Sequence, residues 1–352
     1  MKSRAVLPAL AFLTFLFFQG CQAPQPRSGY CNELIEPMST AERDAYKSYL
    51  NLPKRPIAMT PSFLQATDGK KVPMSVWRPA GQPRAIVIAS PGLDMACSEF
   101  EVLGRGLAPK GIAVWALDLR AQGHEQDLQQ RGTRAPWDLW IQDAEQLVGE
   151  LRKTHPGTPI FLTGQSTGDC VALMAASRLG PGKIAGLLLH SMPFIYLYPS
   201  AATLRDTAFI SPLPPFLYRF TTAYSLSVSP YSFANFHDPH LNAWLSSPLR
   251  IGMSGPYISD CFALGRATRK DLPIVTPPVL VQLGCKDSLA LSTDDPSTVV
   301  ARFQHAILSQ VDVLYVKQGG HLLLAEQRSR AQTLANDLTW LNYRIARYQR
   351  PR

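Results

Sequence analysis

Short apolar runs alternate along the chain with longer stretches of helical character. An early strand is predicted at 72–78. Six continuous apolar runs have the length typical of strands buried on both faces of a sheet, at 85–89, 112–119, 159–163, 186–189, 279–283 and 311–316. Helices are predicted between them, at 99–108, 137–153, 167–178, 298–308 and 322–345. This alternation predicts an α/β fold, a mostly parallel sheet with helices on both faces.

One stretch breaks this alternation. Residues 194–262 are rich in aromatic residues, Pro and Ser and nearly free of charge, whereas aromatic residues make up 9% of the whole chain. We expect an inserted cap at 194–270 over the carboxyl edge of the sheet, which divides the core into 56–193 and 271–347. An aromatic lining with little charge favours an apolar substrate, although these aromatic residues would equally form a small core of the cap's own.

The amino terminus has the pattern of an export signal. Lys2 and Arg4 precede an apolar run at 5–18, which is too short to span a bilayer. The sequence Phe18-Gln19-Gly20-Cys21 then resembles a bacterial lipobox. We therefore expect a lipoprotein-type signal peptide at 1–20, a lipid-modified Cys21 and a tether with an amino-terminal extension at 21–55. The alternative is an ordinary cleaved signal peptide with an incidental cysteine.

This resemblance implies a location in the bacterial cell envelope. Gln22, rather than an aspartate, follows the cysteine, which implies sorting to the outer membrane. The formal net charge is +9. No dense Lys/Arg run accompanies that charge, so no nucleic-acid partner is predicted, and a basic surface suits either an anionic membrane or solubility alone. With 17% charged residues, the chain is too polar for a multispanning membrane protein.

The chain contains six cysteines: Cys21, Cys31, Cys97, Cys170, Cys261 and Cys285. An oxidising compartment would allow up to two disulfides among the five after Cys21. Cys170 and Cys285 lie in apolar stretches, so we expect both to be buried thiols. Neither a C-x-x-C pair nor a Cys/His cluster is present in the sequence, and no metal site or cofactor is predicted.

The motif that indicates a nucleophile is the sequence Gly164-Gln165-Ser166-Thr167-Gly168, which has the pattern G-x-S-x-G. An apolar strand-like run precedes it and a helix-forming stretch follows. A serine on such a sharp strand-to-helix turn has its hydroxyl lifted out of the sheet, and the flanking glycines relieve the crowding of the turn. Ser166 is therefore a candidate nucleophile. The alternative is a glycine-softened turn with a surface serine.

A serine nucleophile needs a base and an acid that orients the base. Asp287 follows the predicted strand 279–283, and His321 follows the strand 311–316 through a glycine-containing loop. Both would project from the same sheet edge as Ser166, in the chain order Ser, Asp, His. His124, in the loop after Asp118, would line the mouth of the site. The rival acids are Asp294, Asp295 and Asp312.

Two N–H donors must stabilise the oxyanion that forms during acyl transfer. One candidate is the N–H of Thr167, directly after the nucleophile at the amino end of its helix. The other is the N–H of Leu93, in the Pro91-Gly92 loop that follows the strand 85–89. The alternative interpretation of that loop is a plain Pro-Gly turn.

Together these residues resemble the α/β-hydrolase superfamily, in the branch of monoacylglycerol lipases, lysophospholipases and serine aminopeptidase-like domains. The resemblance covers about residues 60–347 and is carried by segments at 91–92, 118–124, 164–168, 284–287 and 320–326. It implies an α/β-hydrolase fold with a cap. The chain departs from the family pattern at Pro91, Gln122, Gln165 and Asp169, which concern the oxyanion loop and the acyl pocket and leave the predicted triad complete.

The resemblance implies a serine esterase that acts on a lipid-derived ester, a lysophospholipid or a monoacylglycerol, without a metal or organic cofactor. The tether and the aromatic cap favour a membrane-derived substrate. Two alternatives stay open. An aminopeptidase-like peptidase would need an acidic or carbonyl group in the cap to hold the substrate amine, and a non-catalytic envelope lipoprotein would use the same fold to bind lipid.

Overall fold

A computed structural model describes residues 62–133, 135–198, 247, 249, 254–287 and 296–348. These residues form an eight-stranded sheet in the order β1-β2-β4-β3-β5-β6-β7-β8. The strands are β1 Ser62–Gln65, β2 Lys71–Trp77, β3 Ala85–Ser90, β4 Ile112–Leu117, β5 Ile160–Gln165, β6 Gly186–His190, β7 Val279–Gly284 and β8 Val311–Val316. β1 and β2 pair antiparallel, as do β2 and β4, and the other pairs are parallel. The predicted α/β-hydrolase architecture, with its mostly parallel sheet, is confirmed.

Helices cover both faces of this sheet. They are α1 Glu101–Leu107, α2 Trp137–Thr154, α3 Thr167–Leu179, α4 Phe194–Leu197, α5 Gly255–Asp271, α6 Pro296–Ala306 and α7 Arg330–Tyr348. Short 3-10 turns lie at Cys97–Phe100, Ala108–Lys110 and Leu272–Ile274. Among the described residues, no helix is both long and apolar enough to cross a membrane.

The central strand β3 shows how the sheet separates two hydrophobic layers. Every residue of β3 is buried. Ile86 and Ile88 join the cluster formed with α2, α3, α5 and α6, whereas Val87 and Ala89 join the cluster formed with α1 and α7. Successive side chains of a strand point to opposite faces, so a continuous apolar run is what a strand covered on both sides requires.

The last helix begins later than predicted. The apolar positions predicted one helix at 322–345, but α7 begins at Arg330, and residues 322–329 form a loop of turns. In that loop the Ser329 hydroxyl donates to the carbonyl of Leu323, and the Glu326 carboxylate accepts two backbone N–H groups. The Ser329 hydroxyl thus binds a carbonyl that a helix over 322–345 would have paired with a backbone N–H, which opposes helix formation here.

Part of the predicted organisation lies outside the described residues. This applies to the signal peptide 1–20, to Cys21, to the tether 21–55 and to most of the predicted cap. Within the predicted cap range, α5 packs against α2, α3 and α4. The cap and the domain boundaries therefore stay predictions.

Candidate active site

Ser166 lies on the turn between β5 and α3. Its backbone has φ 54° and ψ −118°, a conformation that costs a residue with a side chain roughly 1–3 kcal/mol. Two backbone bonds hold the turn: the Ser166 N–H donates to His190 O (2.9 Å), and the Asp169 N–H donates to Ser166 O (2.8 Å). The Ser166 side chain makes no capping bond to α3, so its hydroxyl is not occupied at the helix start.

The flanking glycines are required by close approaches of backbone. A Cβ on Gly164 would lie 2.2 Å from the Asp169 nitrogen, and one on Gly168 would lie 1.9 Å from the Ser90 carbonyl oxygen. Any side chain at either position would force the turn or the loop after β3 to move. The crowding expected from the motif is therefore present on both sides of Ser166.

His321 and Asp287 meet at the carboxyl edge of the sheet. His321 Nδ1 lies 2.9 Å from Asp287 Oδ2, and both side chains are buried. A carboxylate on Nδ1 keeps the proton there and leaves Nε2 as the acceptor. That Nε2 is buried and has no hydrogen-bond partner among the described residues. The rival Asp312 instead bonds Trp340 Nε1 (2.8 Å) and Arg344 (3.0 Å), and Asp294 and Asp295 lie outside the described residues.

The loops that carry these two residues are joined to each other. The Cys285 N–H donates to Val316 O (3.0 Å), and the Lys286 N–H donates to Gly319 O (2.8 Å). A Cβ on Gly284 would lie 2.2 Å from Gly320 O. Because the loops share hydrogen bonds and direct backbone contact, the acid and the base are positioned as one unit.

The cysteine predictions are half right. Cys170 is a buried free thiol as expected, and burial raises its pKa. The prediction of a thiol at Cys285 is wrong, because Cys285 is disulfide-bonded. An apolar neighbourhood predicts burial equally well for a thiol and for a half-cystine, and the sequence held no signal that separates the two. The disulfide lies two residues before Asp287, next to the candidate acid.

Two side chains hold the backbone on either side of His321. The Glu326 carboxylate accepts the N–H groups of Gly320 (2.6 Å) and Leu322 (3.0 Å). The Gln165 amide donates to the His321 carbonyl oxygen (2.6 Å). Burial raises the pKa of Glu326 to about 7, against the lowering effect of its two N–H bonds. No local pattern in the sequence assigns either residue this role, because both bonds form only in the folded loops.

The oxyanion loop, defined here as residues 90–95, passes directly beside the nucleophile. A Cβ on Gly92 would lie 3.2 Å from Ser166 Cβ and 3.0 Å from Gln165 O. Leu93 is buried, and the following Asp94 has φ 56°. The loop that carries Leu93 and the helix start that carries Thr167 thus both border Ser166. That their N–H groups bind the oxyanion stays a prediction.

Asp118 holds the backbone at Cys97, just after the oxyanion loop, and at His124 by accepting hydrogen bonds. Its carboxylate accepts the N–H groups of Cys97 (2.5 Å) and His124 (2.6 Å), and His124 Nδ1 lies 2.9 Å from Oδ2. His124 is buried against Asp118, and its expected place at the mouth of the site stays a prediction. The ligand atoms of Cys97, Asp118 and His124 lie within 4.8 Å of one another. Both Asp118 oxygens already accept N–H groups, and this arrangement explains the cluster without a metal.

Asp169, one of the departures from the pattern of the resembled family, is completely buried. Its Oδ1 accepts the His190 N–H (3.0 Å), while its Oδ2 has no hydrogen-bond partner in the described part of the chain. Burial raises the pKa of Asp169 well above its ordinary value. Because His190 O also accepts the Ser166 N–H, Asp169 helps to hold the end of β6, to which the backbone of the nucleophile is hydrogen-bonded.

Comparison with known protein families agrees with this geometry. A family model described as "Serine aminopeptidase, S33" matches residues 81–328, which include Ser166, Asp287 and His321. The chain belongs to this family. The S33 match starts just before β3 and ends just before α7, and so covers the strands from which the candidate site is built.

Individual relatives of this S33 protein are named as monoglyceride lipases. The chain is 27% identical to monoglyceride lipase of Rattus norvegicus over 293 residues, which are 79% of this chain and 89% of the relative. It is 32% identical to the Homo sapiens monoglyceride lipase over 136 residues, which span only 44% of the human protein and 39% of this chain.

Solved structures show the same fold. A monoacylglycerol lipase of Paleococcus ferrophilus has a TM-score of 0.59 at 19% identity, with 78% of this chain and 100% of that chain covered. A soluble variant of monoglyceride lipase from Saccharomyces cerevisiae has a TM-score of 0.63 at 17% identity, with 83% of this chain and 98% of that chain covered.

Proposed function

We propose that this carboxylic-ester hydrolase cleaves a lipid-derived ester, a monoacylglycerol or a lysophospholipid, through an acyl-enzyme on Ser166. The observation that carries the proposal is the buried His321–Asp287 pair, because the 2.9 Å contact on Nδ1 leaves Nε2 as a buried acceptor. The strained turn at Ser166 and the relatives named as monoglyceride lipases support the same reaction class.

The proposed reaction uses three side chains and two backbone donors. Ser166 Oγ attacks the ester carbonyl carbon while His321 Nε2 takes the hydroxyl proton, and Asp287 stabilises the imidazolium. The N–H groups of Leu93 and Thr167 bind the oxyanion. Collapse of the intermediate breaks the bond to the alcohol, which receives the proton from His321. Water, deprotonated by His321, then releases the fatty acid and restores Ser166.

We also propose that the protein is a lipoprotein of the bacterial outer membrane, held by a lipid on Cys21 through the tether 21–55. The support is the lipobox resemblance at Phe18-Gln19-Gly20-Cys21 after an apolar run. Metabolic labelling with an alkyne palmitate tests this directly. Label in the wild type and none in Cys21→Ala supports the anchor, whereas an unlabelled, secreted wild type contradicts it.

The substrate is tested with the purified full chain and three substrates: 1-oleoylglycerol, 1-oleoyl-lysophosphatidylcholine and alanyl-proline peptides. We expect release of oleate from a lipid ester, none from Ser166→Ala, and no release of amino-terminal residues. Peptide cleavage without ester cleavage would establish the aminopeptidase alternative. A folded wild type that binds oleoyl lipid and cleaves none of the three substrates would favour the non-catalytic alternative.

A further inference from the structure

We propose that Gln122 is the positioning residue that holds the oxyanion loop in its working conformation, and that Tyr257 on α5 holds Gln122 in turn. This inference rests on the proposed function, because it concerns the loop that carries the candidate donor Leu93. It assigns a role to a position at which the chain departs from the family pattern.

A single buried amide binds three backbone groups of the loop. Gln122 Nε2 donates to the carbonyl oxygens of Gly92 (2.7 Å) and Met95 (3.1 Å). Gln122 Oε1 accepts the N–H of Asp94 (3.1 Å). These groups lie on both sides of Leu93, and the Gln122 side chain has no exposed surface. Besides the loop's own turn bond from Met95 N–H to Gly92 O (3.2 Å), the loop is thus held by one side chain 27 to 30 residues further along the chain.

The bond to Gly92 O bears directly on catalysis. Gly92 O and the Leu93 N–H belong to the same peptide unit, and no described peptide bond is cis. In a planar trans peptide the C=O and N–H groups point in opposite directions. Gln122 Nε2 (2.7 Å) and the Met95 N–H of the loop itself (3.2 Å) both donate to this carbonyl, so the Leu93 N–H faces away from them. If the peptide rotated by half a turn, a carbonyl oxygen would replace the N–H and repel the oxyanion.

The loop needs such an external hold. Asp94 has φ 56°, a conformation that a residue with a side chain adopts at a cost. Its N–H is the group that Gln122 Oε1 accepts. A strained residue beside a functional peptide relaxes unless neighbouring bonds fix it, and the Gln122 amide supplies those bonds.

Tyr257 fixes the orientation of the Gln122 amide. The Tyr257 hydroxyl donates to Gln122 Oε1 (2.9 Å), and the phenol ring packs on Trp140 with ring centroids 5.0 Å apart. Gln122 now has two acceptor bonds and two donor bonds, which is the full capacity of a primary amide. If the Gln122 amide were flipped, its NH2 group would face the Asp94 N–H, and its oxygen would face the carbonyl oxygens of Gly92 and Met95. Tyr257 lies near the start of α5, so it links the end of the predicted cap to the oxyanion loop.

The test compares Gln122→Glu and Tyr257→Phe with the control Gln129→Glu, which makes the same chemical change at an exposed position. A glutamate at 122 puts an acceptor against the carbonyls of Gly92 and Met95 and turns the loop. We expect kcat for ester hydrolysis to fall about 10²-fold or more in Gln122→Glu, the scale of losing one oxyanion donor. For Tyr257→Phe we expect a fall of roughly 3- to 10-fold. KM should change little in either variant.

A second readout separates positioning from general damage to the fold. A trifluoromethyl ketone binds a serine hydrolase as a tetrahedral oxyanion, so its affinity should fall in parallel with kcat/KM. Inhibition by oleyl alcohol, which has no carbonyl group and forms no oxyanion, should stay unchanged, as should the activity of Gln129→Glu. If Gln122→Glu does not fold, Tyr257→Phe, which removes a single hydroxyl, carries the test.

Two outcomes overturn the proposal. One is wild-type kcat in folded Gln122→Glu and Tyr257→Phe. The other is a loss of kcat with unchanged trifluoromethyl ketone affinity. A wild type that cleaves no ester marks a failure of the proposed function instead. In that case the rate of fluorophosphonate labelling of Ser166 replaces kcat, and the same order of variants is expected.

Discussion

Replacing Glu326 by Gln removes a buried charge beside the candidate base while keeping the shape of the side chain. In the native protein the carboxylate accepts the N–H groups of Gly320 (2.6 Å) and Leu322 (3.0 Å). Burial outweighs these two bonds, and the charge of Asp287 adds to it, so the pKa of Glu326 rises from 4.5 to about 7. The ionised form is thus disfavoured in the native state relative to the unfolded chain.

The sign of the pH effect follows from this direction. The native state binds the proton more tightly, so the stability that Glu326 contributes is present at low pH and is lost as the pH rises through 7. A rise from 4.5 to about 7 corresponds to about 3 kcal/mol over the whole range. Between pH 5 and pH 8 the measurable part is about 2–3 kcal/mol, because the unfolded glutamate is already mostly ionised at pH 5.

The assay is urea unfolding of the wild type and Glu326→Gln at pH 5 and pH 8. Titrating groups that do not interact with Glu326 contribute equally to both proteins, so the difference between the two pH-dependences reports Glu326 together with its coupling to Asp287 and His321. We expect the free energy of unfolding of the wild type to fall by about 2–3 kcal/mol more than that of the variant. Equal pH-dependences, or a larger fall in the variant, would refute the reasoning.

Three further predictions test other parts of the site. In Gly168→Ala the new Cβ would lie 1.9 Å from Ser90 O, so we expect kcat/KM to fall about 10²-fold, and unchanged kinetics would contradict the close approach. In Gly149→Ala, within α2, the new Cβ would have no described atom within 4 Å, so we expect the free energy of unfolding in urea to rise by about 0.5–1 kcal/mol with unchanged activity. A loss of stability in this variant would argue against a helix at this position. Dithiothreitol should lower kcat of the wild type, because reduction of the disulfide at Cys285 disturbs the loop of Asp287, and it should leave kcat of Cys285→Ser unchanged. If dithiothreitol lowers kcat equally in both proteins, the loss does not come from the disulfide at Cys285.

The fold and the placing of the candidate residues were accessible from the sequence because both depend on local pattern. Continuous apolar runs fix the buried strands, and a residue directly after such a strand lies at the carboxyl edge of the sheet. This is why Ser166, Asp287 and His321 were predicted at one edge, and why Asp287 and His321 are found in contact.

The groups that hold the site were not accessible, because their contacts join distant positions. Gln122 and Tyr257 are 135 residues apart, and Gln165 reaches a carbonyl 156 residues away. No local pattern encodes such pairs. The helix predicted from 322 failed for a related reason: three consecutive leucines have helical character, and only the folded loop shows that Glu326 takes the nearby N–H groups.

The central claim is an activated serine at Ser166, and labelling with a fluorophosphonate probe followed by mass spectrometry of the labelled peptide tests it most directly. We expect one label on Ser166 in the wild type, none in Ser166→Ala, and labelling slowed about 10³-fold or more in His321→Ala. A folded wild type that stays unlabelled, or that carries its label on another residue, would show that Ser166 is not the activated nucleophile.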